Sequence, residues 1–413
     1  MRDGWKAVPL SDAIEHTIGG VWGGESDTDE VEVTVVRSTE FTKRGYLNFE
    51  TGVSRSIKHS QLKSRELKEG DILLEKSGGG PDQPVGRVVY VTEEIPNKFV
   101  CSNFVQLVRP NSKIVEPLLL FHIMWRWHAI NRTLEFQAQT TGIRNLRTPD
   151  YLEQEIELPP LPEQKRIVDL ISSVDSYIET LQQQLESAKK SRNAVLYELL
   201  TGGGDDWVET TLGQEFEICK NGKNYKDGIS TEGLPISRIQ TIASGKIDLT
   251  KVGFGNFFLQ DAEGFLLEEG DILFSHINSL PHVGKVAIVQ HNHLPLIHGM
   301  NLLRMRFANS NDTNFMFYLM QNESMRDEIR SRAQVAVNQV SINISSIKTI
   351  KIVIPPLRTQ KEIASLICAW DNLIEECENN LNSSRNLRVG LLSELLSGEH
   401  EIPASYDKFM GAA

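Results

Sequence analysis

A stretch of 47 residues occurs twice in this chain, 196 residues apart, and that duplication constrains the fold more than any other feature. Ile156–Gly202 aligns with Ile352–Gly398 without a gap and with 20 identities. These include Pro159/Pro355, Gln164/Gln360, Asp175/Asp371, Arg192/Arg388 and a closing Glu-Leu-Leu-x-Gly. In a chain of 413 residues, two copies this far apart define a pair of long units and not a solenoid of short repeats.

Each copy has the pattern of a long helix. Steps of four and three from Ile167 visit Ile171, Val174, Ile178, Leu181, Leu185, Ala188, Arg192, Val195 and Leu199. The same steps from Ile363 visit Ile367, Trp370, Ile374, Cys377, Leu381, Ser384, Arg388, Leu391 and Leu395. A heptad seam with polar residues around it is the signature of a coiled coil. Pro162 near the first turn, the Thr359-x-x-Glu362 capping pattern, and Gly202 and Gly398 mark the expected ends. A helix of about 37 residues is roughly 55 Å long. Two such seams in one chain pair most simply with each other, parallel or antiparallel. Arg192 and Arg388 fall at equivalent seam positions, where a cation is costly unless it sets register or meets an acid.

The segments before each copy share a plan and little sequence. Trp5…Leu10 matches Trp207…Leu212, LKEGDILL at Leu67–Leu74 matches LEEGDILF at Leu267–Phe274, and VGRVVYV at Val85–Val91 matches VGKVAIV at Val283–Val289. Strand patterns, VEVTVV at Val31–Val36 among them, precede one apolar helix per half, PLLLFHIMWRWHAI and NFMFYLMQNESMRDEI. The polar, basic arc at 37–67 and the stretches QAQTTGIRNLRTPDY and SRAQVAVNQVSIN read as loops. The expected organisation is a first variable domain at 1–155, a helical region at 156–202, a second variable domain at 203–351, a second helical region at 352–400, and a tail at 401–413. The fold class is α+β, with two globular mixed domains separated by two long helices.

The net charge of −12 argues at first against a polyanionic partner. Yet Glu153–Gly202 and Ile352–Ile402 each contribute −4 of it, with nine acidic against five basic residues and eight against four. The variable domains carry basic runs. Arg37–Glu69 has eight Lys/Arg against four Asp/Glu, and Cys219–Lys251 has six against three. A charge run is usually a solvated face, so nucleic acid is permitted and not required. Cys101, Cys219, Cys368 and Cys377 stand far apart, as small and mostly buried residues would. The start has no apolar leader, and the expected location is cytoplasmic.

Enzyme signatures are missing. Leu161 and Leu357 follow the Pro-Pro pairs where an adenine methyltransferase motif needs an aromatic, and neither a phosphate-binding loop nor a dinucleotide fingerprint occurs. Asp150 with Glu155 and Glu157 lacks the lysine of a nuclease cluster. The five histidines between His276 and His298 have no matching set in the first half, so surface or base-contacting roles are expected before metal binding.

LPPLPEQKRI, IPPLRTQKEI, the two ELLxG endings and the paired GDIL strands together resemble the specificity (S) subunit of type I restriction-modification systems, over the whole chain. The second copy departs from the usual acidic Glu-Gln at Arg358-Thr359-Gln360. The resemblance implies two target-recognition domains and an antiparallel coiled-coil spacer, arranged with pseudo-twofold symmetry. It implies a non-catalytic subunit that reads an asymmetric bipartite double-stranded DNA sequence, one half-site per domain. The partners it implies are two modification (M) methyltransferase subunits and, in complexes that cleave, two restriction (R) subunits. Metal and cofactor are expected in neither domain, with S-adenosylmethionine, ATP and Mg held by the partners.

Base edges call for Arg, Lys, Asn, Gln and small hydroxyls on projecting loops. Family analogy places such loops after the first strand, after the GDIL strand and before the proline pair. The candidates in the first domain are Lys43, Arg44, Lys58, His59, Lys76, Thr140, Thr141, Arg144 and Asn145. In the second they are Lys220, Lys223, Asn224, Arg238, His276, Asn278, Asn338 and Gln339. A coiled-coil adaptor that binds proteins and not DNA is the competing reading, and it predicts no sequence preference on random duplexes.

Overall fold

The computed structural model describes residues 4–25, 30–78, 84–92, 98–140, 143–226, 232–336 and 339–410. The chain divides into two compact units, residues 1–181 with 380–413, and residues 182–379. Both are built on the same internal plan.

In the first unit, strand Lys6–Pro9 pairs antiparallel with Glu155–Leu158, so the start of the variable region is fastened to its end. A four-stranded antiparallel sheet follows in the order Ile14–Gly19, Val105–Pro110, Ile72–Glu75, Val88–Tyr90. Ile72, Leu73 and Leu74 are fully buried, because this central strand is covered on both faces. Helix Pro117–Ala129 lies in the same apolar cluster as Ile72, Leu74, Val88 and Val108. A second, three-stranded sheet joins Val53–Ile57, Val31–Val36 and Phe99–Cys101, the last pair parallel. The basic arc expected as a loop thus holds strand Val53–Ile57 and helix His59–Arg65.

The second unit repeats the closing ribbon, Val208–Thr211 on Lys351–Ile354, and the four-stranded sheet, in the order Phe216–Asn221, Leu302–Phe307, Ile272–Ser275, Val286–Ile288. Where the first unit has its three-stranded sheet, the described residues of the second have the short ribbon Pro235–Ile236 with Gly253–Phe254. The expected single helix is two, Thr313–Gln321 and Glu323–Ser331. They break at Asn322, a buried residue in a non-helical conformation whose side-chain Oδ1 accepts from the Ser324 amide at 2.9 Å and so caps the start of the second helix.

Both long helices run 41 residues, Leu161–Thr201 and Leu357–Ser397. In the first unit Ile167 and Ile171 share a cluster with Leu392 and Leu395, and Asp175 meets Arg388. In the second, Leu196 and Leu200 share one with Ile363 and Ile367, Lys189 meets Glu378 and Arg192 meets Asp371. Residue numbers rise on one helix as they fall on the other, so the pairing within each unit is antiparallel. Thr359 lies inside the second helix and does not cap it; Glu362 instead pairs with Arg358 at 3.1 Å. Gly398 just past the end has φ +72, a left-handed conformation that suits glycine. Among the cysteines Cys101 is buried, whereas Cys368 is exposed, contrary to expectation.

Candidate nucleic-acid interface

Two stretches expected as loops are hairpins. Gln137–Thr140 and Ile143–Leu146 pair antiparallel, and the second strand also pairs with Ser77–Gly78, bringing Arg144 opposite Gly78 and Asn145 opposite Ser77. In the second unit Gln334–Ala336 pairs with Gln339–Ser341, which pairs with Ile277–Asn278. Each unit therefore carries a small three-stranded sheet directly beyond its GDIL strand. The β-branched residues were the available signal, Thr140, Thr141 and Ile143 in the first stretch and Val335, Val337, Val340 and Ile342 in the second, but Gly142, Asn145 and Asn338 interrupt the runs.

The first of these edges gathers Lys76, Ser77, Arg144 and Asn145. Ser77 Oγ donates to Asn145 Oδ1 at 2.6 Å, and the Leu146 amide donates to the Lys76 carbonyl at 2.8 Å. The Lys76 and Ser77 amides both donate to the Phe104 carbonyl, at 3.0 and 3.1 Å, and the Phe104 side chain is exposed. Beneath the edge, buried Glu75 holds Arg87 by a two-pronged ion pair of 2.7 and 2.8 Å. Thr140 ends the hairpin strand, and Thr141 lies outside the described residues. Lys43 and Arg44 are exposed on a separate turn, with Arg44 4.0 Å from Glu179 of the long helix. Lys58 and His59 start helix His59–Arg65, next to the strand whose Arg55 stacks 4.8 Å over the ring of Trp22.

The second edge is chemically different. Asn278 stands opposite Val340, its Nδ2 donating to Ser275 Oγ at 3.1 Å, and Gln339 is exposed one residue away. Asn338 lies outside the described residues. Lys220 and Lys223 do not project: their ammonium groups donate to the carbonyls of Gly264 and Asp261 at 2.6 and 2.7 Å, and Lys223 sits 4.5 Å over Phe257. Asn224 beside them is exposed. Arg238 is half-buried at the start of a short 3-10 turn.

The histidines need correcting. His276 and His298 are not on the surface but buried, and burial lowers each to a pKa of about 4, so both are neutral. His298 contacts the Leu302 carbonyl at 3.0 Å, and His291 and His293 lie on a 3-10 turn and not on a strand. No group of three or more His, Cys, Asp or Glu side chains positioned for a metal occurs among the described residues. Asp150 is committed to Arg147 at 3.0 Å.

The chain matches a known family over residues 3–190 and 204–383, the type I restriction modification DNA specificity domain. The chain belongs to that family. DNA sequence recognition is what the specificity domain contributes, and the chain carries it twice. It is 25% identical over 418 residues to the type I restriction enzyme MjaVIII specificity subunit of Methanocaldococcus jannaschii, covering 96% of this chain and 92% of that one. A putative type I restriction enzyme MjaX specificity subunit from the same organism is 38% identical over 195 residues, 47% of this chain and 46% of its own length. The fold is also that of a chain solved in a study of complex assembly and conformational transition of the type I R-M system, with TM-score 0.62, 17% identity, and coverage of 96% of this chain and 98% of the other. Among the described residues of this specificity-domain protein, no helix is long and apolar enough to cross a membrane.

Proposed function

We propose that this chain reads an asymmetric, bipartite double-stranded DNA sequence, one half-site per unit, and holds two modification subunits that methylate it. The observation that carries this is the pair of three-stranded edges. Their backbones correspond, but Arg144 opposite Gly78 in the first becomes Val340 opposite Asn278 in the second. A guanidinium pairs best with guanine O6 and N7, and a side-chain amide with adenine N6 and N7. One frame with different donors reads different half-sites. In this reading the chain supplies recognition and no bond-breaking chemistry, S-adenosylmethionine belongs to the modification subunits, and restriction subunits using ATP and Mg join where the system cleaves.

Long-read methylation mapping of cells carrying this chain with its modification subunit tests the proposal. An adenine-methylated motif in two parts with a fixed gap is expected. Assembly without any such motif would overturn the reading and favour a protein-binding adaptor.

A further inference from the structure

We infer that Arg192 and Arg388 are positioning residues, each locking one recognition domain to the helix pair and so fixing the length of the gap between half-sites. The inference rests on the bipartite reading above.

Each guanidinium faces two different elements. Arg192 Nε donates to Asp371 Oδ1 at 2.9 Å and Nη2 to Asp371 Oδ2 at 3.3 Å, across the helix pair. The same group lies 5.6 Å from the ring of Tyr318 and 3.5 Å from Gln321 Oε1, both on helix Thr313–Gln321 of the recognition domain. Arg388 repeats this in the other unit. Its Nε donates to Asp175 Oδ1 and its Nη2 to Asp175 Oδ2 at 2.8 Å, and its Cζ stands 5.6 Å from the ring of Trp125, on helix Pro117–Ala129. The two arginine side chains are only 13% and 16% exposed.

The rest of the seam is mainly aliphatic, and aliphatic heptads tolerate a slip of one repeat. A slip of seven residues moves one helix past the other by about 10.5 Å. It would separate both ion pairs at once, since each helix carries one of the aspartates and one of the arginines. A guanidinium left alone at such depth is strongly disfavoured, because its charge loses its carboxylate without regaining full hydration. The aromatic contact adds what a coiled-coil ion pair by itself lacks, because the planar cation registers the reader's helix against the same point. Helix register and reader placement are thus set by one group in each unit.

The test uses the full chain with its modification subunit. Arg192→Met combined with Asp371→Leu replaces the pair by apolar groups of similar size, a change that commonly leaves stability intact. Methylome mapping should return both half-sites unchanged, with methylation at sites whose gap differs by about three base pairs, the rise of one heptad, increasing about tenfold over wild type. Tyr318→Leu, which removes the ring beside the guanidinium together with the hydroxyl that meets Asp371, should relax the gap in the same direction and serves if the double variant does not assemble. Wild-type gap fidelity in either assembled variant overturns the positioning role. A wild-type protein with no two-part motif would instead refute the recognition reading on which the role depends.

Discussion

Asp71 and Asp271, the acids of the two GDIL strands, are fully buried and have the same work to do. Each accepts a hydrogen bond from a backbone amide three residues earlier, Lys68 or Glu268, at 2.7 Å, closing the turn that enters the strand. Each also pairs with arginine on the neighbouring strand, Arg109 at 2.7 Å or Arg304 and Arg306 at 2.8 and 2.9 Å. The repeated motif is visible in the sequence, but the arginines are not, because pairing across strands is decided by register. Asp71→Asn should cost about 3 kcal/mol in urea denaturation, as it leaves the half-buried Arg109 without its counter-charge; a loss below about 1 kcal/mol would contradict this account. His122 gives a pH signature. Burial pushes its pKa down from 6.5 to about 3, so below 6.5 the unfolded chain takes up a proton that the folded one refuses. Its contribution is complete above pH 6.5 and is lost as pH falls toward 3, by about 2 kcal/mol at pH 5. His122→Leu should flatten the stability difference between pH 7 and pH 5 by that amount, and an unchanged difference would show that the ring is accessible to protons in the fold.

At the scale of elements, the proline pair and the glutamine after it form a joint. Gln164 is buried, with Nε2 donating to the carbonyls of Ile114 and Pro159 at 3.0 and 2.9 Å and Oε1 accepting from the Glu116 amide at 2.9 Å. Gln360 does the same with Pro355, Asn311 Oδ1 and the Asp312 amide, at 2.9, 3.1 and 2.9 Å. One side chain thus ties the start of a long helix to the residue preceding the recognition-domain helix. Gln164→Leu keeps the volume and strands these partners, so it should destabilise the first unit by about 2–4 kcal/mol. Hydrogen exchange should quicken at the Glu116 amide and remain unchanged at Asp312; equal exchange at both sites would mean the glutamine is dispensable. The identity of Gln164 and Gln360 and their nearby prolines show in the repeat, yet nothing in the sequence names their partners on the recognition domain, which lie 48 to 50 residues away. The strand pairs 137–140 with 143–146 and 334–336 with 339–341 are hidden in the sequence for a related reason: each is completed by a third strand, at 77–78 or 277–278, that is far away in the chain.

At the scale of the molecule, the duplication makes modular predictions. Replacing residues 207–351 with the corresponding segment of another specificity subunit should change one half-site and leave the other and the gap as they were, read by methylome mapping. Change in both half-sites would show that the units do not recognise DNA independently. Inserting one heptad between Ser187 and Asn193 lengthens that helix by about 10.5 Å, the rise of about three base pairs of DNA. The expected result is a longer gap with both half-sites kept, or loss of assembly, and an altered half-site would count against a spacer role.

The sequence by itself determined the duplication, the two long helices with their seam, the paired GDIL strands and the family. Each of these is written in short-range periodicity or in residues repeated at a fixed interval, and such signals survive without knowledge of the fold. Tertiary structure decided which way the helices pair, that Arg192 finds Asp371 and Arg388 finds Asp175, that Lys220 and Lys223 serve a loop, and that His276 is buried. Those outcomes depend on partners distant in the chain, and a side chain's burial or ion pairing has no local pattern to announce it. The opening repeat is where the two meet. Its seam arginines were legible as a cost, and only the folded chain shows the carboxylate and the aromatic ring that offset it.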